Sequence, residues 1–142
     1  MADASNEKLP PWADSVLSRD LSRIAAAGES QEVEFKVTFP SHVGDLGKEI
    51  AAFATSNDGT IYLGIADDGA IVGIASGSDT GVRAKLRQRI EGLCSGPVQP
   101  TVTPSIRFAV HAGLTVMAID VRKGSAPIYY AGNVPYLRQL TA

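Results

Sequence analysis

Cysteine occurs once in the 142 residues, at Cys94. A single thiol excludes an internal disulfide framework and a cysteine-based zinc site, and it fits a reducing cytoplasm. No apolar run approaches the ~20 residues needed to cross a bilayer, so no membrane partner is expected. The opening MADASNEKLPPW has no apolar signal-peptide core. Histidine is scarce too. His42 and His111 lie far apart without metal-ligand spacing, and each is expected to be structural or exposed. No G-x-S-x-G or other nucleophile motif occurs, so covalent catalysis has no support. An excess of positive charge is also missing: 13 Lys and Arg stand against 15 Asp and Glu, for a net charge of −2. That argues against a generally basic nucleic-acid coat but leaves room for a local basic patch.

What is present describes a globular chain. At 44% hydrophobic and 20% charged it is not disordered, and its length suits one domain. Residues 1–11 are polar and end in Pro10-Pro11, which reads as a flexible tail. Residues 12–142 are then a single domain, and the location expected is the cytoplasm.

From Trp12 to Ala27, apolar residues recur at Trp12, Val16, Leu17, Leu21 and Ile24, a helical period that Gly28 is placed to stop. The stretch EVEFKV alternates Glu32, Glu34 and Lys36 against Val33, Phe35 and Val37, the pattern of a half-buried strand. A second helix is expected from about Asp45 to Thr55, with Leu46, Ile50, Phe53 and Ala54 on one face. TIYLGIA reads as a buried strand, and DDG as a tight turn into AIVGI. Asp79 or Thr80 caps a third helix through Leu93, which GPVQPTVTP breaks. SIRFAV and LTVMAIDV around HAG read as a hairpin, and APIYY and VPYLR as one or two short strands. The order implies an α+β fold, a mixed β-sheet with flanking helices.

Two clusters carry candidate chemistry. The first is acidic. Glu32 and Glu34 share one face of their strand, because side chains alternate with period two, and Glu29 could fold back over it. Hard cations such as Mg²⁺ or Mn²⁺ take oxygen ligands and often need only two or three carboxylates. Asp67 and Asp68 could add a further acid from the turn after the central strand. Alternating charge on a strand is more often simply a solvated face. The second cluster is basic. GVRAKLRQRIEGL holds Arg83, Lys85, Arg87 and Arg89 on both sides of the stripe Val82, Leu86, Ile90 and Leu93. These residues could contact a phosphate backbone or snorkel over the core edge. Arg122, Lys123 and Arg138 add positive charge near the last strands. GDLGKE fails as a phosphate loop: two residues separate the glycines, and Glu49 follows the lysine. Cys94, among apolar neighbours, is expected to be buried.

Taken together, GESQEVEFK, then IAAFATSNDGTIYLGIADDGAIVGI, and more weakly APIYYAGNVPYLR resemble the Schlafen AlbA_2 domain, a putative DNA-binding family also called divergent AAA-4. The resemblance covers most of residues 20–138. It implies an α+β nucleic-acid-binding fold of the Schlafen-core type, often joined to a winged-helix or helicase-like segment. The family is common in bacterial proteins labelled transcriptional regulators. No such segment lies within these residues, so a stand-alone domain or a fragment is expected.

Some Schlafen members are metal-dependent RNases that cut tRNA and rRNA. By position, Glu29 and Glu34 match their two glutamates and Lys36 the lysine beside them. Where those members carry an aspartate directly after the Gly-hydrophobic strand, this chain has Ala66 after Gly64-Ile65, with Asp67 one residue later. The usual Ala-Asn-Thr-x-Gly-Gly is here Ala-Thr-Ser-Asn-Asp-Gly, with Thr55 and Asp58 at the changed positions. Three expectations follow. The first is a nucleic-acid-binding domain, for DNA or RNA, with Lys36, Arg83, Arg87, Arg89 and Arg138 on phosphates and no cofactor required. The second is an endoribonuclease with Mg²⁺ or Mn²⁺ on Glu29, Glu34 and Asp67. The third is a regulatory domain acting as a homodimer.

Overall fold

A computed structural model of the chain describes residues 8–40 and 43–138. The first helix, α1, spans Ser15–Ala27, not from Trp12. Asp14 fixes that start: its carboxylate accepts from the Leu17 N–H, which ends the search for an earlier turn. Trp12 lies before the cap and packs edge-on against Phe108. β1 follows at Val33–Lys36, then α2 at Val43–Ser56 and β2 at Gly59–Leu63. β1 and β2 are parallel, which requires a crossover, and α2 provides it.

The expected hairpin partner AIVGI forms only one bridge, between Ile65 and Ile71. The third helix, α3, runs Thr80–Ser95 and is capped by Asp79, whose side chain accepts from Gly81 and Val82. β3 (Val98–Gln99) falls inside the stretch expected only to break that helix. β4 (Ser105–His111) and β5 (Leu114–Val121) form the expected hairpin, and β6 (Tyr129–Ala131) and β7 (Val134–Tyr136) the two short strands.

The strands make two sheets. One is mixed, in the order β1-β2-β5-β4. The other is small and antiparallel, in the order β3-β6-β7. Period-two alternation divides the larger sheet between two cores. Phe35, Tyr62, Val116, Ala118 and Ala109 face α1, where Leu17, Leu21 and Ala25 meet them. Ile61, Leu63, Met117, Ile119 and Phe108 face Leu46, Ile50 and Phe53 of α2 and Ile90 and Leu93 of α3. The small sheet closes this second core through Val98, Tyr129 and Ala131. Gly59 is forced here, because a Cβ at that position would run into the Phe53 ring.

Val33 and Phe35 face α1, so Glu34 and Lys36 point to the α2 side. The charged face of β1 therefore looks toward α2 and the C-terminal strands, where it is half-buried, and only Glu32 is fully exposed.

Candidate functional site

The turn into β1 explains the spacing of its glutamates. Ser30 and Val33 bond to each other across a tight turn. This brings Glu29 back alongside the strand, where its Oε2 accepts from the Phe35 N–H at 3.0 Å. β1 is an edge strand; the Glu32 carbonyl just before it accepts from Thr60 of β2, the Lys36 carbonyl accepts from Gly64 and Ile65 just past β2, and the Phe35 N–H points away from the sheet. Glu29 thus supplies the acceptor that a neighbouring strand would otherwise give. Burial pushes its carboxyl up, the Phe35 N–H pulls it down, and the nearby charges of Glu34 and Asp67 push it up again. The net direction is upward.

Glu34 has both oxygens engaged. Oε1 lies 3.6 Å from Lys36 Nζ and Oε2 3.1 Å from an Arg138 guanidinium nitrogen. Glu49, from α2, completes the group, with its Oε2 at 2.6 Å from the other terminal nitrogen of Arg138. Burial and the charge of Glu34 raise the Glu49 carboxyl above its ordinary range, outweighing Arg138 and Lys36. Asp67 sits in the turn closed by the bond between Ala66 and Gly69, near enough to Glu29 to repel it. Glu29, Glu34 and Asp67 do not converge as a ligand set: among the described residues, no group of three His, Cys, Asp or Glu side chains is arranged to hold a metal ion. Ala66 occupies the place where the third acid was expected. The residues present do not fit the metal that the resemblance implied.

Three of the five expected phosphate-contacting residues are turned into the fold. Arg83 is buried, with 7% exposure. It donates to the Gly77 carbonyl and the Thr80 hydroxyl, and its guanidinium lies 3.7 Å from the Trp12 ring centre. At that exposure it is poorly placed to take a phosphate. Arg138 turns inward onto Glu34 and Glu49, and Lys36 is half-buried beside Glu34. Arg87 and Arg89 stay at the surface with Lys85. Arg89 stacks 3.8 Å over Phe39, and Arg87 lies 5.9 Å from Phe108. Among the described residues none of these three forms an ion pair. Arg122 and Lys123 are exposed as well.

Two groups were missed in the sequence. Glu49 lies three residues after Leu46 and four before Phe53, within the apolar stripe of α2. A charge in that position signals a buried pair. Arg107 forks onto Asp120, at 2.8 and 3.0 Å, and Thr60 donates to the same carboxylate. They line an 880 Å³ open cleft with Glu32, Asn57 and Arg122. Their signal is weaker, because pairing across β4 and β5 is visible only once the register is known. GDLGKE is the first turns of α2, with Lys48 exposed beside Asp45. Cys94 is buried and its thiol is pushed up to about 12. His111 ends β4 at an intermediate depth, and His42 lies outside the described residues. No helix among the described residues is long and apolar enough to cross a membrane.

Comparison with known proteins agrees with this architecture. No curated protein matches the chain. The N-terminal domain of a putative ATP-dependent DNA helicase RecG-related protein from Nitrosomonas europaea is similar in fold. Its TM-score is 0.60 at 22% identity, over 87% of this chain and 88% of that one. The DIP2311 protein from Corynebacterium diphtheriae is similar at a TM-score of 0.51 and 24% identity. That match covers 72% of this chain but 19% of that protein. The family model described as Schlafen, AlbA_2 matches residues 29–141, from the first glutamate of the β1 turn to beyond Arg138. The chain belongs to the Schlafen AlbA_2 family.

Proposed function

We propose that the chain is a nucleic-acid-binding domain of the AlbA_2 type, with Lys85, Arg87 and Arg89 of α3 as its principal phosphate contacts. The observation that carries this reading is the surface of α3: three cations on one helix, with no ion pair among the described residues and Arg89 resting on the Phe39 ring. Stacking restricts the Arg89 stem and leaves its guanidinium edge free for phosphate oxygens. Membership of the family supports the reading. So does the fold neighbour, a domain of a protein named as related to a DNA helicase. A module within a transcriptional regulator would use the same surface.

Fluorescence anisotropy with duplex DNA, single-stranded DNA and RNA tests the proposal. Binding is expected at low salt and should weaken as salt rises, because each neutralised phosphate releases counterions. Three contacts on duplex DNA give a log–log salt slope of about −2.7. Absence of binding to all three at low salt, or unchanged binding by the K85A/R87A/R89A variant, overturns it. Self-association without any nucleic-acid response would favour the homodimeric regulatory role instead. Scoring the same samples for cleavage of tRNA with Mn²⁺ covers the endoribonuclease reading.

A further inference from the structure

We propose that the acidic cluster on β1 and α2 is a receptor for the chain's own Arg138, whose guanidinium takes up Glu34, one of the carboxylates on which a divalent cation was expected. A guanidinium has five N–H donors in a rigid fork, and four contacts are made here. Nε donates to the Gln31 carbonyl at 3.1 Å and one terminal nitrogen to Glu49 at 2.6 Å. The other donates to the Ser30 carbonyl at 2.9 Å and to Glu34 at 3.1 Å. The plane also rests 4.7 Å from the centre of the Phe53 ring. The backbone N–H of Arg138 donates to Ser56 Oγ at 2.7 Å, which anchors the chain beside the end of α2.

The charges close on themselves. Lys36 and Arg138 face Glu34 and Glu49, two cations for two carboxylates. Glu29 has one oxygen on the Phe35 N–H, and its carboxyl lies against that of Glu34. Each oxygen of Glu34 already has a cationic partner, so a Mg²⁺ or Mn²⁺ ion must displace both to use that side chain. The third acid of the family's nuclease pattern is replaced by Ala66. Glu34, Glu49 and Arg138 are thereby one device, in which the arginine fastens the segment after β7 to the turn that carries the glutamate motif.

The decisive experiment is thermal unfolding of the full chain, with and without millimolar Mn²⁺ or Mg²⁺, for the wild type, R138Q, R138K, E49Q and R138Q/E49Q. R138Q should lower the melting temperature by about 4–10 °C, since it strands two half-buried carboxylates. R138K should recover only part of that loss, because an ammonium cannot reproduce the fork. R138Q/E49Q should melt above R138Q, because one stranded charge is gone. The wild type should show no saturable metal response beyond that of an equal ionic strength of NaCl. If R138Q does not fold, hydrogen exchange on R138K decides. Segments 29–36 and 129–138 should then lose protection together, though about a hundred residues separate them. A saturable rise of the wild-type melting temperature with Mn²⁺ that E34Q abolishes overturns the proposal. So does an R138Q variant as stable as the wild type, or an R138K variant in which only one segment is affected.

Discussion

Two charged regions of this molecule are built from similar residues and use them in opposite ways. Around β1, two cations and the carboxylates of Glu34 and Glu49 satisfy one another beneath the last strand. Along α3, Lys85, Arg87 and Arg89 stand at the surface without an ion pair among the described residues. The difference teaches that a basic or acidic motif does not by itself say whether its charge faces inward or outward. What decides is whether a partner of opposite sign is fixed within reach and whether water is excluded. Arg83 makes the point within a single helix. It lies one turn before Arg87, yet it is sealed beneath Trp12 and bonded to the Gly77 carbonyl.

If that division is right, substitutions should separate cleanly into losses of stability and losses of binding. The largest effect is expected for R83A. It leaves the Gly77 carbonyl without its donor and removes the stacking on Trp12, a loss of about 2–4 kcal/mol in denaturant unfolding. Nucleic-acid affinity of the folded variant should be unchanged. Next is K85A/R87A/R89A, which should weaken binding about 10- to 1000-fold at low salt and flatten the salt slope by up to about 2.7. Its melting temperature should stay near the wild type's. A variant that failed in both assays would blur the two regions into one.

A smaller effect concerns pH. The folded protein holds the Glu49 proton more tightly than the unfolded chain does, because burial raises the carboxyl. The stability linked to that proton is therefore complete below the ordinary glutamate value of 4.5 and fades as pH rises through the raised folded value. Glu29 has the same sign. E49Q removes the Glu49 share, so its melting temperature should gain on the wild type's as pH climbs from about 4 to about 7. The smallest change is expected at Cys94. Its buried thiol, pushed up to about 12, should resist alkylation at neutral pH and react only as the chain unfolds.

The helices and long strands were legible in the sequence because their signals are local: the stripe of α3, the alternation of β1, the hairpin around Ala112 and Gly113. Asp14 moved the start of α1 from Trp12 to Ser15 because a cap outweighs an apolar period at its end, whereas Asp79 caps α3 where its sequence signal put it. β3 was not legible. It is a two-residue strand among prolines, held only by pairing with β6. The acidic cluster was half legible. Glu29 and Glu34 are neighbours in both sequence and space, whereas Glu34 and Arg138 are 104 residues apart and meet only after two sheets have formed. No spacing rule reaches that far. Glu49 did leave a trace, as a charge inside the apolar stripe of its helix.

The bond from the Phe35 N–H to Glu29 also has a counterpart across the sheet. On β4, at the opposite edge, the Val110 N–H donates to Ser18 Oγ and the Phe108 carbonyl accepts from the Asp14 N–H, both partners belonging to α1 or its cap. Each margin of the four-stranded sheet is thus closed by the chain's own groups, where an open margin would invite a foreign strand to add on. A second copy of this domain, or an extended peptide, would have to evict Glu29 or Ser18 before it could lengthen the sheet. That protects the domain against runaway edge-to-edge growth, and it turns any partner toward side-chain surfaces such as α3.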